Sequence, residues 1–170
     1  MKLRIEPDTD AQSPAEWGNE DLFLIANHRD FFVPPSKSER RFDVQDVIER
    51  HEDTHHVFAL EAYIHSGVRL ALAGEGNFPD RQWDVSRLGV VFAAKSEWKT
   101  MAKARDAALS LVNEWNQYLS GDVWGYVVED DEGNHLESCW GFYGREYCEQ
   151  EGRSLLEHCE ANDTTAACMI

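Results

Sequence analysis

The sequence predicts an α+β fold: a single domain whose largely antiparallel sheet is packed by one long and two shorter helices. Three observations carry this. Short segments with a period of two, bounded by turn residues, fill the first half of the chain. An apolar stripe with a period near 3.6 follows over residues 96–119. The period then returns to two over residues 122–143, before a last helical stripe. With 170 residues, 42% of them apolar, the chain can bury a sizeable core without disulfides or metals. The predicted domain spans residues 1–160, and residues 161–170 read as a flexible C-terminal tail.

Leu3 and Ile5 alternate with charges and predict a short first strand. Residues 8–19, with Ser13 and Pro14, read as loop, and residues 22–26 are an apolar run of strand length. Phe31, Phe32 and Val33 lead into a break at Pro34 and Pro35. Asp43 is placed to cap a short helix with Val44, Val47, Ile48 and His51 on one stripe. Residues 57–64 and Val68, Leu70 and Leu72 read as a hairpin turning at Ser66-Gly67. Residues 74–84 read as loop, and the continuous apolar run 88–94 as a strand covered on both faces.

Ser96 is the predicted cap of the long helix, with Trp98, Met101, Ala108, Leu111, Val112 and Trp115 as its inner stripe. Lys95, Lys99, Lys103 and Arg105 line its first half and form the main basic region. Gly121 falls where a helix C-terminus needs positive φ. In the hairpin beyond it, Trp124, Tyr126 and Val128 point one way and Val123 and Val127 the other. Asp130 to Asn134 are turn residues, and Leu136, Ser138 and Trp140 share a face of the return strand. An aromatic stripe beside Gly125 and Gly141 suits a core better than a base-stacking platform, because a platform needs basic neighbours and these are acidic. A third helix follows over residues 145–160, with Tyr147, Cys148, Leu155, Leu156 and Cys159 inward.

The net charge is −16, unevenly spread. From Gly121 to Ile170 there are 12 acids against 2 bases. Such a field repels nucleic acid and anionic membrane and attracts basic partners or cations. The first residues hold no apolar signal region, and no apolar run reaches membrane-spanning length, so a cytoplasmic protein is expected. Cys139, Cys148, Cys159 and Cys168 form no Cys-x-x-Cys pair and read as reduced thiols.

His51-Glu52-Asp53-Thr54-His55 matches His-Glu-x-x-His, a pattern that holds zinc when both His share a helical face and Glu serves as base. Here Asp53 and Thr54 suit a buried helix poorly, and His55-His56 opens the next strand. No third ligand follows at a recognisable spacing, His65 and Glu61 being the nearest candidates. The acidic turn fails the EF-hand pattern, because His135 stands where Gly is needed when Asp130 is first. Gly74-Glu75-Gly76 lacks the third Gly of a dinucleotide fingerprint. No Walker loop or nucleophile elbow is present.

Three blocks carry a resemblance. They are Asp10-Ala11-Gln12-Ser13-Pro14-Ala15-Glu16-Trp17 with Asn27-His28-Arg29; Trp83-Asp84 with Gly89-Val90-Val91-Phe92; and residues 118–130, Tyr-Leu-Ser-Gly-Asp-Val-Trp-Gly-Tyr-Val-Val-Glu-Asp, with Ser138-Cys139-Trp140-Gly141-Phe142-Tyr143-Gly144. With them the chain resembles a family of small acidic, functionally uncharacterised proteins of phages and other mobile elements. Ala93-Ala94-Lys95 and the His-rich segment 51–56 depart from that pattern. The resemblance implies no catalytic residue and no cofactor; it implies a setting in which small accessory proteins act on host machinery.

The expected function is therefore a non-enzymatic interaction protein, with no catalytic residue, metal or cofactor assigned. Its partner would be a basic host protein surface, that of a nucleic-acid-binding defence protein inhibited by nucleic-acid mimicry, with no direct contact to nucleic acid or membrane. Asp122, Glu129, Asp130, Asp131, Glu132 and Glu137 are the expected contact edge, continued by Glu146, Glu149 and Glu157 on the last helix. The alternative is a zinc-dependent hydrolase using His51, Glu52 and His55.

Overall fold

A computed structural model describes residues 1–17, 19–78 and 85–167, the last six by backbone alone. Its elements are β1 (Lys2–Pro7), a 3-10 turn (Pro14–Trp17), β2 (Leu22–His28), β3 (Phe31–Val33), α1 (Val44–His51), β4 (His55–Ile64), β5 (Val68–Leu72), β6 (Val85–Ala94), α2 (Met101–Ser120), β7 (Val123–Glu129), β8 (His135–Tyr143) and α3 (Arg145–Ala167). The α+β class holds, and every strand pairing is antiparallel. The strands divide into two sheets and the chain into two compact units: Ser13–Ser120, and Met1–Gln12 with Gly121–Ile170.

In Ser13–Ser120 the sheet order is β3-β2-β6-β4-β5. The apolar run in β6 reads as it does because both faces are covered. Leu88 and Val91 join the core beneath α2, while Val90 and Phe92 join the one beneath α1. From α2 come Ala108, Leu111, Val112 and Trp115, the last meeting Phe31 edge-on at 5.4 Å. Full burial of each large side chain contributes about 1.5–3 kcal/mol. Asp43 caps α1 as predicted, its carboxylate accepting from the Gln45 N–H at 2.7 Å.

Strand β5 lies at the sheet edge, and Asn116 of α2 closes part of it. Its amide donates to the Leu70 carbonyl at 2.9 Å and accepts from the Leu70 N–H at 2.8 Å, as a neighbouring strand would. Asn116→Ala is expected to lower stability by about 1–3 kcal/mol, the cost of leaving part-buried main-chain groups unpaired. Urea unfolding at constant m-value checks this. A loss under about 0.5 kcal/mol would mean that water replaces the amide without penalty.

The other unit has sheet order β1-β7-β8, with α3 packed on one face. Tyr126 and Val128 are buried there with Cys148, beside Leu3, Ile5, Trp124, Phe142, Leu155 and Leu156. The turn forms on Gly133, at φ 86°, with Asp130 accepting from the N–H groups of Glu132 and Asn134. Gly121 ends α2 at φ 73°.

Two boundaries and one facing differ from expectation. Ser96 does not cap α2; it lies in a turn whose Ala94 carbonyl accepts from Glu97 and Trp98 N–H. The helix starts at Met101, where the Thr100 carbonyl and hydroxyl accept from Ala104 and Lys103 N–H, so Trp98 stays outside it and Met101 is exposed. Tyr147 was expected inward but is exposed, its ring standing edge-on to Phe142 at 5.6 Å. The helix α3 runs seven residues past Glu160, to Ala167, because no Pro or Gly stops it. The rest of the predicted tail, 168–170, and residues 79–84 of the predicted loop, with Trp83-Asp84 of the second block, lie outside the described residues.

Candidate functional site

The His-rich segment, residues 51–56, carries the enzymatic alternative. Helix α1 ends at His51, and Glu52 closes it with its N–H donating to the Ile48 carbonyl at 2.8 Å. Thr54 then returns to the His51 carbonyl at 3.0 Å, and His55 opens β4. The two imidazoles therefore share no helical face, though they lie 5.4 Å apart, edge-on, against Phe23 and Phe92.

Their nitrogens are largely committed. His51 Nδ1 is 2.9 Å from the Val47 carbonyl; His55 has Nδ1 2.8 Å from the Thr54 hydroxyl and Nε2 3.2 Å from the Glu20 carbonyl. A metal ligand must offer a lone pair on imidazole, and both ring nitrogens of His55 are already engaged in hydrogen bonds. Among the described residues no three His, Cys, Asp or Glu side chains gather in a metal-holding group. Both rings pack against Phe23 and Phe92 where α1 gives way to β4.

The acidic residues form two groups. Glu129, Asp130, Asp131 and Glu132 meet at the β7–β8 turn, and Glu137 stands close by on β8 opposite Val128. Asp122 lies at the far end of β7, seven residues and about 23 Å from Glu129 at roughly 3.3 Å per residue. Its carboxylate is used locally, accepting from the Trp124 indole N–H at 2.6 Å. A strand therefore separates Asp122 from the rest of the expected edge. Glu146, Glu149 and Glu157 share one face of α3 with Gln150, Ser154 and Arg153.

Partners divide them further. Glu129 pairs with Arg4 at 3.2 Å, Glu149 with Arg153 at 3.0 Å, and Asp131 meets the Met1 amine at 2.7 Å. Asp130 is held below the ordinary carboxylate range by the side-chain amide and then the N–H of Asn134. Because the folded value is lowered, its contribution to the turn is present above pH 3.8 and fades as pH falls through the folded value. Among the described residues, no cation lies within ion-pair distance of the exposed Glu132, Glu137, Glu146 or Glu157. Of the nine expected contact residues, these four are exposed and outside any ion pair among the described residues. Sequence reasoning passed over Arg153; the signal was its position four residues after Glu149.

Two members of the predicted basic region have local partners. Lys95 Nζ donates to the Glu52 and Asp53 carbonyls at 2.7 and 3.3 Å, and Arg105 pairs with Glu75.

Cys139 is exposed, while Cys148 is buried against Tyr126 and Val128. Burial, then Cys139 and Glu149, push the Cys148 thiol up to about 11. A neutral-pH thiol reagent should modify Cys139 in the native protein and leave Cys148 intact until denaturant is added, read by peptide mass mapping. Equal labelling of both would show that the Cys148 side of α3 opens freely. Since the folded value is raised, the protein loses stability as pH climbs from about 9 towards 11, where the unfolded chain ionises first.

No helix among the described residues is long and apolar enough to cross a membrane. No protein-family model matches the chain, and no curated protein or solved structure matches it.

Proposed function

We propose that the protein is a non-enzymatic, acidic interaction protein of the cytoplasm whose partner is a basic, nucleic-acid-binding protein. Its carboxylates stand in for phosphates, and the binding inhibits that partner. The observation that carries this reading is the set of exposed carboxylates without cations, Glu132, Glu137, Glu146 and Glu157, in the stretch that holds 12 acids against 2 bases. Carboxylates placed this way are free to take Lys and Arg from a partner, and their field speeds encounter with a positively charged surface. The resemblance to small acidic proteins of mobile elements supplies the setting, a host defence protein as target.

Salt tests it. Affinity for a purified basic DNA-binding protein should fall at least about tenfold between 0.1 and 0.5 M salt, because the Debye length drops from about 10 Å to about 4 Å. DNA should compete for the same partner. Unchanged affinity across that range would remove electrostatic mimicry as the mechanism.

A further inference from the structure

We infer that the outer edge of β8 takes a short, extended, basic segment of the partner as an added strand, an inference that rests on the acidic-surface reading above. The order β1-β7-β8 leaves β8 at an edge of its sheet. Along an antiparallel strand, alternate residues turn their main-chain groups to opposite sides. The Val123 carbonyl accepts from Asp8 N–H on the β1 side, whereas the Asp122 carbonyl accepts from Gly144 N–H and Asp130 N–H donates to the Asn134 carbonyl on the β8 side. Even-numbered residues of β7 therefore face β8. Glu137 and Cys139, opposite Val128 and Tyr126, face back, and Ser138 between them turns its N–H and C=O outward.

Side chains flank that outward pair. Leu136 and Trp140, two residues to either side, are 43% and 44% exposed, two of the six exposed large hydrophobics among the described residues. Trp140 sits over Gly125, where an added Cβ would come within 2.2 Å of the ring, so the indole is seated on the sheet face opposite α3. Exposed apolar anchors beside free main-chain groups are what a docking strand uses: the backbone supplies affinity and the alternating side chains supply selectivity. Register shifts at Leu136 and at Trp140-Gly141 bracket the site. They limit pairing to a few residues, which protects the edge against long strand-to-strand aggregation.

Charge selects the occupant. Glu137 borders the edge and the turn Glu129–Glu132 closes one end, so an incoming segment rich in Lys or Arg gains where an acidic one is repelled. A second copy of this chain, pairing β8 with β8 antiparallel about Ser138, would set the two Glu137 carboxylates diagonally across from each other, which disfavours it.

The test uses a labelled Lys-Val-Lys-Val-Lys-Val-Lys peptide and its analogue N-methylated at every internal residue, which keeps the charge and removes the hydrogen-bond donors. Anisotropy at low salt should show the parent peptide binding at least about tenfold more tightly than the analogue. Amide exchange at Ser138 should slow on adding the parent. Ser138→Pro, which removes an outward N–H and leaves the β7 ladder intact, should weaken the parent by a similar factor. Equal, salt-sensitive binding of both peptides would overturn the added strand and leave the acidic surface standing. Tight binding of the parent alone, insensitive to salt, would keep the strand and remove the electrostatic reading. Binding of neither would overturn both.

Discussion

Gly89→Ala is expected to destabilise the protein by about 3 kcal/mol or more, enough to leave much of the chain unfolded at 37 °C. A Cβ at this position would lie 1.9 Å from the Ile25 carbonyl oxygen and 2.8 Å from the Ala26 Cα. Both are main-chain atoms of β2, and Gly89 pairs with Ala26 on one side and Leu60 on the other. Relief would require the central strand to part from its neighbour, which breaks ladder hydrogen bonds in the middle of the sheet. Gly125→Ala is the control: the atoms nearest its added Cβ belong to the half-exposed Trp140 ring, a side chain that can swing away, and it should cost under about 1.5 kcal/mol. Thermal and urea unfolding of the two variants decide the matter, and similar losses would mean that strand separation is easily accommodated.

The second large effect is on binding. Replacing Glu132, Glu137, Glu146 and Glu157 together by Lys changes the net charge from −16 to −8 and should weaken binding to a basic partner at least about a hundredfold, near 2.7 kcal/mol. Each side chain is exposed, so stability should move by no more than about 0.5 kcal/mol per site. Reversal of Glu129 and Glu149 instead should weaken binding less, because each already holds an arginine. Retained affinity in the fourfold variant, with the melting temperature unchanged, would place the partner surface elsewhere on the molecule.

Much of this fold is legible in the sequence. Periodicity and apolar runs located the three helices and every strand but β3, whose Phe31–Val33 read only as the approach to a break, and the faces of β7 followed from alternation alone. Local signals with a single reading held: Asp43 as cap, Gly121 as helix end, Gly133 as turn. Ser96 misled because capping residues are common and the turn needed to leave β6 consumed it; Thr100, four residues on, was equally suited. Pairings between distant segments were not legible. Nothing in sequence announces that Asn116 will meet Leu70, that Lys95 will close the α1–β4 turn, or that Arg4 will neutralise Glu129. The candidate surface was therefore visible as composition, while its division into engaged and free carboxylates depended on tertiary neighbours.

One unit draws on both ends of the chain, with all of Ser13–Ser120 between its halves. Strand β1 leaves the ribosome well before its partner β7, which follows only after some 120 further residues have been made, roughly 6–25 s at ordinary elongation rates. Throughout that interval Leu3 and Ile5 have no sheet to join, whereas the intervening segment has all five of its strands and α2 available in one uninterrupted stretch. Synthesis thus imposes an order: the middle of the chain assembles first, and the acidic hairpin captures the waiting N-terminal strand last.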